Sequence, residues 1–442
     1  MSKRVLIVTQ YFYPENFRIT DYALYLVRRH CSVDVLTGIP NYPEGVHFDG
    51  YGIFRKRKEN YQGINIFRAF QLTRGGKQPS KVRLSLNYLS FAICASLDAL
   101  FIALFRKKYD AILVFAPSPI TQAIPAVVLK KITGVPVYTW VQDIWPDSVM
   151  SSVGSDSKYH FVIGILSAIT EWIYRNSRDI FVSSEGMIPL VSRRKDYTHK
   201  TLYVPNWCDD IQKMHHPQVE KQRDGYKIVM AGNLANGIGP DIVIELVESL
   251  QDCHDLLFVF IGGGAKEDYM REEFRRRGIE NVVMTGRKPF SEMPSYFEQA
   301  DALLLSLKPT TQVHLQATVP SRFQAYLSSG KPVLAMIDGD TKALIEKYDC
   351  GYVVKAGDYQ GLSSYIREYV LLQRGEFAKK GDNCRKLYLK EFTPQKVCKR
   401  LTEILLEGNE VMKHSLTVAE TRHLGGGRFY LRETIVLTNV AA

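Results

Sequence analysis

The sequence predicts an α/β protein of two doubly wound, Rossmann-like domains facing each other across a cleft. Short apolar runs alternate with longer amphipathic segments, the pattern of parallel strands joined by crossover helices. The alternation lapses in a polar stretch, 206–225, that carries His215-His216-Pro217, and then restarts. At 442 residues, 45% apolar and 23% charged, the chain is long enough for two ordinary cores and is neither disordered nor fibrous in composition.

In the first half, strands are expected at 5–9, 32–36, 64–67, 111–115, 135–140, 179–182 and 201–204. The apolar run Val5-Leu6-Ile7-Val8 follows a basic start but is too short for the core of a signal peptide, so it reads as a first buried strand. In the second half, strands are expected at 227–231, 256–261, 282–285, 302–306, 333–336 and 351–354. Helices begin there near Gly239, Lys266, Glu292, Ser321, Thr341 and Tyr359. The domains are therefore expected at 1–207 and 208–390. Segment 391–410, opened by Thr393-Pro394, lines up Val397, Leu401, Ile404 and Leu405 on one side and is capped by Gly408, so it reads as a crossover helix returning across both domains. From 411 to 442 the periodicity is lost and Gly425-Gly426-Gly427 interrupts it, as in a poorly ordered tail without chemistry.

The net charge of +11 is unevenly placed. Residues 1–200 hold 26 Lys+Arg against 15 Asp+Glu, while 201–442 hold 31 against 31, so the whole excess lies in the first half. Two clusters, Arg55-Lys56-Arg57-Lys58 and Arg106-Lys107-Lys108, flank a run from Leu84 to Leu104 that is apolar except for Asn87, Asp98 and scattered serines. This arrangement suits an anionic membrane surface or a lipid-linked diphosphate; Asn87 and Asp98 argue against a span, and the alternative is a buried helix with solvated ends. The clusters lack interleaved aromatics, so nucleic acid is not an expected partner. Seven cysteines without paired spacing read as reduced thiols of a cytoplasmic protein.

Several strand ends carry parts suited to a diphosphate. The 282–285 strand runs into Gly286-Arg287-Lys288, the 302–306 strand into Lys308-Pro309, and Pro320-Ser321-Arg322 opens a helix that stops at Gly330. Basic side chains at strand ends and in a helix's first turn, where amide hydrogens point outward, favour anions. The plainer alternatives are a solvated loop lysine at Lys308 and an exposed first-turn residue at Arg322. Gly262-Gly263-Gly264 ends another strand and offers either bare backbone to a ligand or a tight turn. The Asp-x-Asp triplet Asp338-Gly339-Asp340 sits in a turn-like context, and neither a metal site nor a cofactor is expected.

With these residues in place, the chain resembles the retaining glycosyltransferases of family 4, of GT-B fold, and among them the bacterial enzymes that build O-antigen, capsule and colanic acid. The resemblance rests on Tyr11-Phe12-Tyr13-Pro14-Glu15, Thr37-Gly38-Ile39-Pro40-Asn41-Tyr42-Pro43, Gln142-Asp143-Ile144-Trp145-Pro146-Asp147, Val204-Pro205-Asn206-Trp207 and the segment from Pro320 to Pro332. It covers about residues 4 to 407, and its finer likeness is to fucosamine transferases of O-antigen assembly.

The resemblance implies a nucleotide-sugar donor, UDP-linked by the finer match, with its phosphates at the Gly232-Asn233 loop and its base at the loop of Arg287; Lys308 and Arg322 are the candidates for the charge on the diphosphate, and Gly263 and Gln324 for further donor contacts. It implies transfer of a sugar such as N-acetyl-fucosamine to a lipid-linked polyprenyl diphosphate saccharide, by a peripheral protein of the cytoplasmic face of the inner membrane. Asp143, following an apolar strand, is the expected catalytic carboxylate, orienting the acceptor; a helix cap or turn residue is the alternative. Asn16 and Arg18 are expected at the acceptor diphosphate, and Asn41 and Tyr42 at its sugar. Retention implies front-face attack in which the departing phosphate oxygen takes the acceptor proton, with cations and amides rather than a metal stabilising the leaving diphosphate.

Two departures stand out. Asn233 and Asn236 occupy a loop where many family members place an Arg and a Lys, and Ala317 and Ala325 stand where members often carry two glutamates eight positions apart. Gln324, beside the second, could bond a ribose or sugar hydroxyl or simply face water. The alternatives are a basic membrane-surface protein that binds a sugar nucleotide without transfer, and a sugar-nucleotide 2-epimerase of the same fold. The epimerase would need acid and base residues on both faces of the sugar, and no such set is visible.

Overall fold

Every apolar run read as a strand pairs in one of two sheets. The computed structural model describes residues 2–408 apart from 77–79, 106–107, 154–158 and 221–223. Arg106 and Lys107 of the second basic cluster, the end of the 391–410 segment and the 411–442 tail lie outside the described residues. The first sheet comprises β1 (Arg4–Val8), β2 (Ser32–Thr37), β3 (Lys58–Tyr61), β4 (Ile64–Arg68), β5 (Ala111–Ala116), β6 (Val137–Val141), β7 (Asp179–Val182) and β8 (Thr201–Tyr203). Its order is β3-β4-β2-β1-β5-β6-β7-β8, parallel except for β3. The second comprises β9 (Tyr226–Ala231), β10 (Leu256–Ile261), β11 (Val282–Gly286), β12 (Ala302–Ser306), β13 (Val333–Met336) and β14 (Gly351–Val354), in the order β11-β10-β9-β12-β13-β14. In each sheet the chain leaves the middle in one direction and returns on the other side of the first strand, which opens a crevice at the carboxyl ends beside β1 and beside β9.

One strand was not foreseen. Lys58–Tyr61 is polar, and its burial alternates between exposed and half-buried, as suits an edge strand whose charges discourage further pairing. It joins β4 through Gln62-Gly63, both at positive φ, the backbone of a tight two-residue hairpin. The first basic cluster thus leads into a sheet edge.

The apolar run after it forms one helix, Lys81–Phe105, long and apolar enough by length and composition to cross a membrane. One face is core: Phe91, Ala95, Ala99 and Ile102 pack in the first domain, and the small alanines let the helix Ile124–Thr133 approach closely. The two polar interruptions are satisfied. Asn87 is buried and accepts from Gln10 Nε2 at 2.8 Å, while Asp98 pairs with Arg57 at 3.7 Å. The other face, including Leu89, Ile93, Leu97 and Leu104, is exposed.

The last described helix, Pro394–Glu407, ties the halves together. Thr393 caps it by accepting from Lys396 N at 3.4 Å. Just before it, Tyr388 and Phe392 are buried in the second core, where the Tyr388 hydroxyl donates to Cys208 O at 2.8 Å. Val397, Leu401, Ile404 and Leu405 are then buried in the first core beside Ile19, Ala23 and Leu26. The polar stretch between the halves is also held, since Arg385 grips Asp210 with two bonds of 2.7 Å.

Candidate functional site

Four neighbouring strands of the second sheet release their loops at one edge. Gly232, after β9, has φ +125°, and a Cβ there would lie 3.3 Å from Arg322 Cζ, so only glycine lets the guanidinium lie against the backbone. Arg322 comes from the first turn of the helix Ser321–Ser329, whose first-turn amides have no side-chain cap. Its Nη2 lies 3.4 Å from Asn233 O, and its Nη1 is buried without a partner. The glycine triplet after β10 packs against the same loop: Leu234 N donates to Gly263 O at 3.0 Å. A Cβ on Gly263 would meet the Arg287 side chain at 3.5 Å. Lys308 donates its backbone N–H to Gly237 O at 2.8 Å and keeps its side chain exposed. The structure therefore gathers Gly232, Asn233, Gly263, Arg287 and Arg322, with Lys308 on the adjoining rim. The Tyr326 hydroxyl pins the helix to the strand ends, accepting from Ala231 N at 2.9 Å and donating to Leu304 O at 3.2 Å.

Gln324 is not brought to the cleft surface. It is 1% exposed, and its Oε1 is enclosed without a partner. On a helix stacked between strand ends and a neighbouring helix, the turn after Arg322 points inward. A carboxylate outside the expected set, Glu267, stands beside Gly263: its Oε2 is 3.2 Å from the Cβ position of that glycine, and it pairs with Arg271 at 3.2 Å. Its place in the first turn after the glycine triplet was the available signal.

Across the cleft, Asp143 leaves β6 and accepts from Ser148 Oγ at 2.5 Å. Burial pushes its carboxyl above the usual range, against hydrogen bonds from Ser148, Ser118 and Trp145 and the charge of His314, which pull it down. His314 belongs to the other half. It is buried, and its Nε2 lies 3.0 Å from Ser151 Oγ. The sequence carried no sign of it, because a single histidine in a polar stretch becomes notable only when the halves meet. Two further contacts close the same seam: Ser184 Oγ donates to Ala317 O, and Gly186 N donates to Asp340 Oδ2 at 2.7 Å. Ala317, at the position of the first absent glutamate, is buried in the first core, where a carboxylate side chain would not fit. The Asp338-Gly339-Asp340 triplet is a helix start, with Asp338 at the N-cap and Asp340 serving the seam. Among the described residues, no three or more His, Cys, Asp or Glu side chains stand close enough to share a metal.

The loops beside β1 are organised by Glu15. This buried carboxylate accepts from Asn41 N at 2.9 Å, Tyr42 N at 2.7 Å and Phe12 N at 3.2 Å, joining the loop after β1 to the loop after β2. Burial raises its pKa to about 7 even so, with the three amides and Arg68 pulling down. The residues expected at the acceptor are consequently divided. Tyr42 is 39% exposed and its ring packs on Tyr11 and Phe17. Asn41 is fully buried: its Nδ2 donates to Ile39 O at 2.8 Å and its Oδ1 accepts from Arg74 N at 3.3 Å, so it shapes the loop instead of facing a sugar. Asn16 is exposed. Arg18 is committed to carboxylates, Asp209 at 3.6 Å and Asp21 at 4.0 Å, a placement that competes with the diphosphate expected there.

Residues 212–386 match the family model described as glycosyl transferases group 1. No curated protein sequence matches the chain. The chain is similar in structure to HepE from Anabaena in complex with UDP, at 15% identity and TM-score 0.63, covering 91% of this chain and 99% of that one. Similarity to sucrose-phosphate synthase from Thermosynechococcus elongatus reaches TM-score 0.65 at 13% identity, over 95% and 100% of the two chains. A lipopolysaccharide outer core galactosyltransferase, WaaB, in its apo form gives 0.58 at 12% identity over 91% and 99%. The solved structures show a GT-B fold, and within it residues 212–386 match a glycosyl transferases group 1 domain. The matched segment contains every donor-side residue named above.

Proposed function

We propose that the protein transfers a sugar, such as N-acetyl-fucosamine, from a UDP-linked donor to a lipid-linked saccharide of O-antigen or capsule assembly, with retention of configuration and without a metal. The observation that carries this reading is the convergence of Arg322, Gly232-Asn233, Gly263 and Arg287 at the carboxyl ends of the second sheet; Asp143, at the end of β6, feels the charge of His314 from that same half. An unpartnered guanidinium nitrogen beside a helix start and bare backbone is suited to a departing diphosphate, whose charge must be stabilised as the glycosidic bond breaks. On front-face attack the leaving phosphate oxygen takes the acceptor proton, and Asp143 orients the acceptor hydroxyl. The UDP complexes of HepE support the choice of nucleotide.

The membrane belongs to the same reading. The exposed face of Lys81–Phe105 lies beside Arg57, and Phe54, 95% exposed, stands immediately before Arg55-Lys56-Arg57-Lys58. An apolar face with basic neighbours suits an interfacial helix on anionic lipid, on the cytoplasmic side of the inner membrane. The test of the donor is thermal stabilisation by UDP, GDP and dTDP, since a ligand that binds the native state raises Tm by mass action. UDP should stabilise the protein most, and Arg322→Ala should remove most of the shift. Equal shifts in wild type and variant would refute the donor site.

A further inference from the structure

A second arginine stands among the acceptor loops. Arg74 lies on the loop that leaves the carboxyl end of β4, with its guanidinium 5.0 Å over the Tyr42 ring. Its Nε is buried without a partner, and no carboxylate is paired with it among the described residues. Its charge acts on the Tyr11 and Tyr88 phenols, and Tyr88 in turn feels Asp143. Tyr88, which is within reach of both charges and of Tyr11, thus links an arginine without a paired carboxylate to the carboxylate expected to orient the acceptor. Two other arginines near these loops are already paired, Arg18 with Asp209 and Asp21 and Arg68 with Glu59.

The loop holding Arg74 is pinned on both sides. Arg74 N donates to Asn41 Oδ1 at 3.3 Å, and Gly75 N to Gly45 O at 2.9 Å. Leu72 N donates to Ser90 Oγ at 2.9 Å, and Arg83 Nε to Thr73 O at 2.9 Å. Arg83 belongs to the first turn of Lys81–Phe105 and Ser90 to its third, so the helix with the exposed apolar face itself positions Arg74. A half-buried guanidinium without a counter-charge is costly unless an anion completes it, and its planar fork matches the paired oxygens of a phosphate.

We propose that Arg74 binds the phosphate adjoining the acceptor sugar, setting the distance from that phosphate to the hydroxyl at Asp143. The proposal rests on the reading of a lipid-linked diphosphate acceptor given above.

The test is calorimetric titration of the full chain with farnesyl diphosphate and with inorganic pyrophosphate, at saturating UDP so that the donor site is filled. Arg74→Gln, which keeps the stem over Tyr42 and loses the charge, should weaken binding of the farnesyl diphosphate probe about tenfold or more. Arg74→Lys should restore part of it, Arg18→Gln should bind as wild type, and UDP affinity should be the same in all four proteins. Pyrophosphate binding with the same Arg74 dependence identifies a phosphate subsite in general, and binding that requires the prenyl chain identifies a lipid headgroup subsite. Should Arg74→Gln fail to fold, the comparison passes to Arg74→Lys, which should still bind several-fold more weakly than wild type. Unchanged affinity in the folded Arg74 variant, or loss in Arg18→Gln instead, overturns the assignment and leaves the acceptor class standing. Failure of the wild type to bind either probe overturns the acceptor reading and this assignment with it.

Discussion

The two walls of the cleft are made by different means: the second-sheet wall from backbone turns and a helix start, the first-sheet wall from buried side chains reaching between distant loops. Gly232, Gly262 and Gly263 lie one or two residues beyond their strands, and Arg322 meets Gly232 while Arg287 meets Gly263, because β9, β10, β11 and β12 are neighbours. On the other wall, Glu15 holds Asn41 and Tyr42, Asn87 holds Gln10, and Arg68 holds Tyr13 O at 2.7 Å and Gly38 O at 3.2 Å. The first mode leaves side chains free to meet a ligand. The second consumes many of them in building the loop, and Asn16, Tyr42, Arg74 and Asp143 are among those left for recognition.

That difference can be broken experimentally, most sharply by activity. Arg322→Ala should lower kcat/KM for the nucleotide sugar by about 10² to 10³, the scale of removing one donor from a developing anion, while Asp143→Asn should cost about tenfold and leave UDP affinity unchanged. Mass-spectrometric product formation from initial rates measures both, and equal effects on UDP affinity would erase the distinction between the walls. Gly262→Ala comes next. With φ at +151° and a Cβ falling 1.8 Å from Gly232 O, it should destabilise the chain by about 3 kcal/mol in urea unfolding, whereas Gly237→Ala, with open space around it, should change stability by less than about 0.5 kcal/mol.

The smallest effect concerns the first wall and depends on pH. Glu15 has a folded pKa of about 7 against an ordinary 4.5, so its protonated form is favoured in the folded chain. Its stabilising contribution is complete below 4.5 and is lost as pH rises to about 7. Glu15→Gln should remove that slope, changing the unfolding free-energy difference between wild type and variant by on the order of 2 kcal/mol between about pH 5 and pH 8. Parallel curves for the two proteins across that range would show that Glu15 does not titrate there.

Legibility in the sequence followed the same division. Strand ends and glycine turns are local patterns, so the places of Gly263, Arg287, Lys308 and Arg322 at strand and helix ends could be read before their neighbours were known. Gln324 could not be placed, because the inward side of its helix depends on Tyr326 locking to Ala231 and Leu304. Asn41 and Arg18 carried the right chemistry, yet one is consumed inside its loop and the other by Asp209. The strand Lys58–Tyr61 escaped notice because an edge strand needs no apolar alternation.

By itself the sequence determined the class of architecture, the order of its elements, the confinement of positive charge to the first half and the basic strand ends of the second. These properties follow from side-chain periodicity and from the backbone demands of glycine and proline, which act over a few residues. Tertiary structure alone decided which polar groups face the cleft and which are spent within it. It also decided that His314 meets Ser151 and that Arg74 stands uncompensated over Tyr42. Those outcomes depend on contacts between segments tens to hundreds of residues apart, where burial and pairing, not local preference, set the free energy of each charge.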